Sequence, residues 1–181
     1  TAPVEPIPGL EEFTESDDYF LIVSRLLPYK NVDKAVEACN ELGKKLLVIG
    51  RGPEKEHLEA LAGPTVRIVS GVSDAQLRYA YRHCLALLAI SYEDFGITPL
   101  EAGASGKAVI AYRAGGFLDT IQEGKTGVFI NQPTVEQLVE ALKAFNPDDW
   151  DADYIREHVD GFSEARFITR LKMYVQALPE D

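Results

Sequence analysis

Short apolar runs alternate along the chain with stretches in which apolar residues recur every three or four positions. The runs are YFLIVS from Tyr19, KLLVIG from Lys45, VRIVS from Val66, LALLAIS from Leu85, AVIAY from Ala108 and GVFI from Gly127. Near-continuous Val, Ile and Leu predicts strands buried on both faces, as in parallel sheets. Between them lie helical patterns. In NVDKAVEACNELG, residues Val32, Ala35, Val36, Cys39 and Leu42 share one face. Asn31 suits its N-cap and Gly43 its C-terminal stop. EKEHLEALA, DAQLRYAYRHC, PLEAGAS, FLDTIQE and VEQLVEALKAF continue the alternation, and SEARFITRLKMYVQAL predicts a last helix. Six alternating units imply an α/β fold: a doubly wound, Rossmann-like, parallel six-stranded sheet.

The opening, residues 1–18, is rich in proline and acid and reads as a leader or linker without its own core. Residues 19–162 form the expected domain, and 163–181 the terminal helix. A 181-residue chain with 46% hydrophobic and 26% charged residues is long enough for one packed core. Its net charge of −11 argues against a nucleic-acid partner, which needs a basic face. Cys39 and Cys84 fall in apolar patterns, which suits buried reduced thiols and a cytoplasmic setting. No bilayer-spanning run or signal peptide is visible. A start at Thr1 rather than Met suggests a trimmed fragment of something longer.

Doubly wound sheets bind ligands beyond the carboxyl ends of their strands, so those ends hold the candidate site. After the first strand, Arg25 and Lys30 flank Pro28. A planar fork and a point charge there suit a diphosphate, although solvated surface cations would read the same. After the second strand, Gly50 and Gly52 permit close backbone approach, but a bare G-x-G is weak evidence. After the third, Ser73 and Gln76 suit a capping box, and the loop at Val72 could meet a base edge. GASGKA fails the spacing of a phosphate loop, and Ala108 follows Lys107 where Ser or Thr is needed.

After the fourth strand, Glu93 and Glu101 stand with seven residues between them. Thr98, Pro99 and Glu101 fit a capping box, which would explain Glu101 with no ligand. The same helix start offers N–H groups to an anion, and Gly96 lets one come close. Gly115 and Gly116 suit a second anion-tolerant turn, and Asp119 a helix N-terminus. Cations, glycines, open helix starts and carboxylates on one sheet edge suit a nucleotide diphosphate joined to a sugar.

SRLLPYKN, VIGRGPE and EDFGITPLEAGASGKAVIAYRAGG together resemble the C-terminal half of retaining glycosyltransferases of family 4, with the GT-B fold. The resemblance runs from about Tyr19 to about Phe145 and is nearest to mannosyltransferase-like members. It implies binding of a nucleotide diphosphate sugar, with GDP-mannose as the favoured donor. Arg25 and Lys30 would grip the diphosphate, and Glu93 would face the transferred sugar. Phe95, Gly96 and Ile97 would meet sugar and phosphate through their backbone. Glu101 would accept from the ribose, Val72 would lie by the base, and Gly50 and Gly52 would shape the floor. No metal or other cofactor is implied, and DAD at 151–153 reads as a solvated turn rather than a metal motif. The family carries Glu where Asp119 stands. The implied partners are the donor, an N-terminal domain of the same protein that the last helix would meet, and an acceptor glycan or lipid-linked sugar. Membrane contact, at the inner face, would come only through that other domain. A non-catalytic nucleotide-binding or interaction module, and a sugar-nucleotide epimerase or phosphorylase of the same plan, stay open.

Overall fold

The structure is a computed structural model and describes residues 2–176. Its strands are β1 (Tyr19–Val23), β2 (Lys45–Ile49), β3 (Val66–Val69), β4 (Leu87–Ala89), β5 (Val109–Tyr112) and β6 (Gly127–Ile130). All pair parallel, in the order β3-β2-β1-β4-β5-β6. This is the doubly wound sheet that the alternating pattern predicts.

Each strand sends alternate residues to opposite faces. Phe20, Ile22, Leu46, Val48, Leu88 and Ile110 join one core with α2 (Val32–Leu42), α3 (Lys55–Leu61) and α7 (Val135–Ala144). Tyr19, Leu21, Leu47, Leu87, Val109 and Ala111 join the other. That second layer is built by α4 (Asp74–His83), α5 (Ile97–Ala104) and the short α6 (Phe117–Thr120). Two covered faces explain why the strands lack polar alternation. The acidic opening belongs to this layer too. Around the single turn α1 (Glu11–Thr14), Ile7 is buried and Leu10 and Phe13 pack on the core, so this stretch lies on the domain.

Local signals decide several helix ends. Ser73 and Gln76 form the expected capping box on α4. Gly43 ends α2 in the left-handed conformation, at φ +61°. Asn31 stands at the N-cap position of α2, but its side chain does not cap the helix. Cys39 and Cys84 are free and buried, and burial pushes both thiols up to about 12.

The acidic segment after α7 is ordered. Trp150 stacks on Phe145, which meets Phe20 edge to face. Asp151 then caps a further helix, α8 (Ala152–Asp160), accepting from the N–H groups of Asp153 and Tyr154 at 3.0 Å. The expected solvated turn at 151–153 is therefore a helix start. Ile155 is fully buried beneath α8, and a Cβ on Gly103 of α5 would lie 2.4 Å from Val159. Only a glycine lets the two helices approach so closely. The last helix, α9 (Glu164–Gln176), buries no residue and exposes Phe167, Leu171, Met173 and Tyr174. The remainder of the predicted terminal helix, Ala177 and Leu178, lies outside the described residues.

Replacing Ile155 by Ala should remove the anchor of α8 and cost about 2–5 kcal/mol. Urea unfolding measures this, and an unchanged midpoint would show that α8 adds nothing to the core.

Candidate functional site

β1 and β4 are neighbours in the middle of the sheet, and the chain winds away from them in opposite directions. Their carboxyl ends therefore form the switch-point crevice. A cleft of about 390 Å³ opens there. It is lined by Ser24, Arg25 and Lys30 from the β1 side and by Ser91, Glu93 and residues 94–98 from the β4 side. Phe117 completes it.

Pro28 opens a tight 3-10 turn, Pro28–Lys30, which turns Lys30 inward. Lys30 is 7% exposed and its ammonium donates to Glu93 Oε1. The Ser91 hydroxyl donates to the same oxygen at 2.5 Å. The Lys30 ammonium also lies 4.8 Å from the centre of the Tyr29 ring. Arg25 is exposed and makes no ion pair among the described residues. One cation is thus held by a carboxylate, and the other is free to meet an incoming anion.

The N-terminus of α5 faces this cleft. Its N-cap is Gly96 at φ +78°, and no side chain caps it. The expected capping box at Thr98 and Glu101 is absent, because the left-handed Gly96 starts the helix two residues before Pro99. Thr98 lies inside the helix. The first N–H groups of α5 are left to a ligand or water. A Cβ on Gly96 would fall 2.5 Å from the Phe117 ring, so this corner also has no room for a side chain.

Glu101 accepts a hydrogen bond of 2.7 Å from the hydroxyl of Tyr81 on α4. Burial, and then the Glu101 carboxylate, push the Tyr81 phenol above its ordinary value of 10.0. Both residues line a separate hollow between α4 and α5, with Asp74 and Arg78.

The glycines of the other loops serve backbone packing. Cβ atoms on Gly115 and Gly116 would lie 2.2 Å from Glu93 O and 2.3 Å from Phe95 O. The Gly116 N–H donates to Glu93 O at 2.8 Å, so that N–H is spent on the Glu93 loop rather than left for an anion. A Cβ on Gly50 would lie 2.0 Å from Ser24 O, and one on Gly52 2.3 Å from Leu26 O. These two back the Arg25 loop from behind and do not line the cleft. Val72 packs, half-buried, against the second core cluster. Asp119 is exposed in the first turn of α6.

Arg25, Lys30, Glu93, Phe95, Gly96 and Ile97 thus meet around one space, while Gly50, Gly52, Val72 and Glu101 do not line it. The sequence reading passed over Ser91 and Tyr81. Ser91 ends the LALLAIS run, two residues past β4, where the strand-end rule could have found it; Tyr81 has no local signal. Among the described residues, no group of three His, Cys, Asp or Glu side chains is placed to hold a metal ion. No described helix is long and apolar enough to cross a membrane.

Residues 6–159 match the family model of glycosyl transferases group 1. The chain belongs to that family. A glycogen synthase of Pseudomonas syringae pv. syringae is 33% identical over 133 residues, which is 68% of this chain and 27% of that protein. A GDP-mannose-dependent phosphatidylinositol monomannoside mannosyltransferase of Mycobacterium tuberculosis is 31% identical over 138 residues, 66% of this chain and 36% of that protein. The chain thus spans roughly a third or less of these relatives. Among solved structures, sucrose-phosphate synthase from Thermosynechococcus elongatus superposes with a TM-score of 0.79 at 23% identity, over 96% of this chain and 49% of that one. Anabaena HepE in complex with UDP gives 0.78 at 16% identity, over 93% and 51%. At these identities the likeness is one of fold: this sheet corresponds to half of a GT-B glycosyltransferase.

The raised Tyr81 phenol has a pH consequence. Its proton is held more tightly in the fold than in the unfolded chain, so its contribution is complete below pH 10 and is lost as pH rises beyond it. Tyr81→Phe should flatten the alkaline loss of stability and cost about 1 kcal/mol at neutral pH. Urea unfolding from neutral to strongly alkaline pH reads both, and an unchanged alkaline slope would show that the buried Tyr81 phenol is not held above its ordinary value.

Proposed function

We propose that this domain binds the nucleotide diphosphate sugar donor of a retaining glycosyltransferase that transfers a hexose to an acceptor hydroxyl. The observation that carries this reading is the convergence of Arg25, Lys30 and the uncapped start of α5 on one cleft at the switch point. When the bond from the sugar to the diphosphate breaks, negative charge collects on the departing phosphate. A guanidinium fork, an ammonium and a helix N-terminus aimed at that phosphate stabilise the charge as it forms. On this reading Arg25 and Lys30 do the work that a divalent cation does elsewhere.

Glu93 lies where the transferred sugar would sit, and its grip on Lys30 is exchanged for phosphate when the donor enters. Glu101, held by Tyr81, offers its second carboxylate oxygen to the ribose hydroxyls. The hollow between α4 and α5 gives the nucleoside room toward the Val72 loop. One relative is named for GDP-mannose and one structural neighbour holds UDP, so the base is a matter for experiment, with GDP-mannose put first. A second domain of the same protein would supply the acceptor site, and the exposed apolar side of α9 suits packing against it. Its acceptor would be a glycan or a lipid-linked sugar. Two buried thiols and a nucleotide sugar suit a cytoplasmic location, with any contact at the inner membrane face made through that second domain.

Calorimetric titration with GDP, UDP and ADP in the presence of EDTA tests the reading. One nucleotide should bind, and Lys30→Ala or Arg25→Ala should weaken it about 10- to 100-fold, the worth of one charged hydrogen bond. Binding that survives both substitutions would remove the diphosphate from this cleft. No binding of any nucleotide would favour a fold kept for interaction.

A further inference from the structure

We propose that Asn31 is a positioning residue of this site, acting through Lys30; the inference rests on the reading of the cleft as a diphosphate site. Asn31 directly follows Lys30 and has left-handed backbone, φ +55°. It occupies the N-cap position of α2, where an Asn side chain ordinarily accepts from a helix N–H. It does not do so here. Its Nδ2 instead donates to Ile90 O at 2.8 Å and to Tyr29 O at 3.1 Å. The cap is forgone, and the amide is spent on two carbonyls. One belongs to the residue before Lys30, and the other to the residue before Ser91.

The sheet explains why such a tie matters. β1 pairs with β2 at five positions, Tyr19 through Val23, but with β4 only at Leu21 opposite Leu87. Two backbone links outside the paired strand residues, Leu21 N–H to Ala86 O and Leu85 N–H to Tyr19 O, lie on the side of that pair away from the cleft. The two strands therefore part as they approach the cleft, which is what opens the crevice. The Lys30, Ser91 and Glu93 cluster bridges this gap, with Lys30 on one bank and Glu93 on the other. The Asn31 amide spans the same gap with a neutral bond. It therefore fixes the distance across which Lys30 reaches, whether the ammonium holds Glu93 or a phosphate. A charged tie would be broken by the donor; an amide-to-carbonyl tie is not.

Asn31→Gly keeps the left-handed backbone and deletes only the amide. Calorimetry with GDP, UDP and ADP on the whole chain, well below its melting temperature, gives affinity and stoichiometry separately. For the nucleotide that wild type binds, Asn31→Gly should lower affinity at least about fivefold at unchanged stoichiometry. Hydrogen exchange of the ligand-free chain should also quicken at the amides of residues 91–95. Wild-type affinity in Asn31→Gly would overturn the proposal, and so would a lower stoichiometry at unchanged affinity, which marks a folding role alone. If wild type binds none of the three, the diphosphate reading fails and this proposal with it. The exchange arm then shows separately whether the tie between the loops exists.

Discussion

A lysine ammonium that is almost fully buried must find a partner, and the partner here comes from the opposite bank of the sheet's central crevice. The contact between Lys30 and Glu93 joins the loop after β1 to the loop after β4. Breaking a buried pair by removing one member leaves a charge unanswered, which costs more than the pair itself gains. That asymmetry sets the behaviour of the site. Lys30 cannot stand unpaired, and on the proposed reading the donor's phosphate takes the place of Glu93 when it enters.

Around this contact the loops are held by close backbone packing. Gly115 and Gly116 lie against the backbone of Glu93 and Phe95, and Gly50 and Gly52 against Ser24 and Leu26. A side chain at any of these places would displace the loop that the glycine backs. Gly96 serves in a second way, since its left-handed backbone starts α5 early and leaves that helix uncapped toward the cleft. The glycines near the site thus place the charged groups, and one of them also presents the helix dipole.

The alternating layers were legible because every strand is covered on both faces, which writes itself as uninterrupted Val, Ile and Leu. α8 was not. Ile155 is the one fully buried residue of that acid-rich helix, and its seat depends on Gly103, some fifty residues earlier. Position also offered a local reading of Glu101 that the fold does not use. Thr98, Pro99 and Glu101 have the spacing of a capping box, but the left-handed Gly96 had already begun the helix. Glu101 turned instead to Tyr81, twenty residues away in the chain and invisible to local spacing. Asn31 shows the same limit: its place before α2 signalled a cap, while its partner, Ile90, becomes a neighbour only once β1 and β4 lie side by side. Strand ends located the cleft from sequence; which side chains touch across it depends on tertiary contacts.

The most direct test of the account is where a nucleoside diphosphate sits. Amide chemical-shift mapping by NMR, with GDP, UDP and ADP added in turn without metal, reads this residue by residue. The account predicts shifts clustered at residues 24–31 and 91–98, with weaker ones along α4 near Tyr81. Shifts centred elsewhere, such as the hollow at the β6 edge beside Phe129 and Trp150, would contradict it.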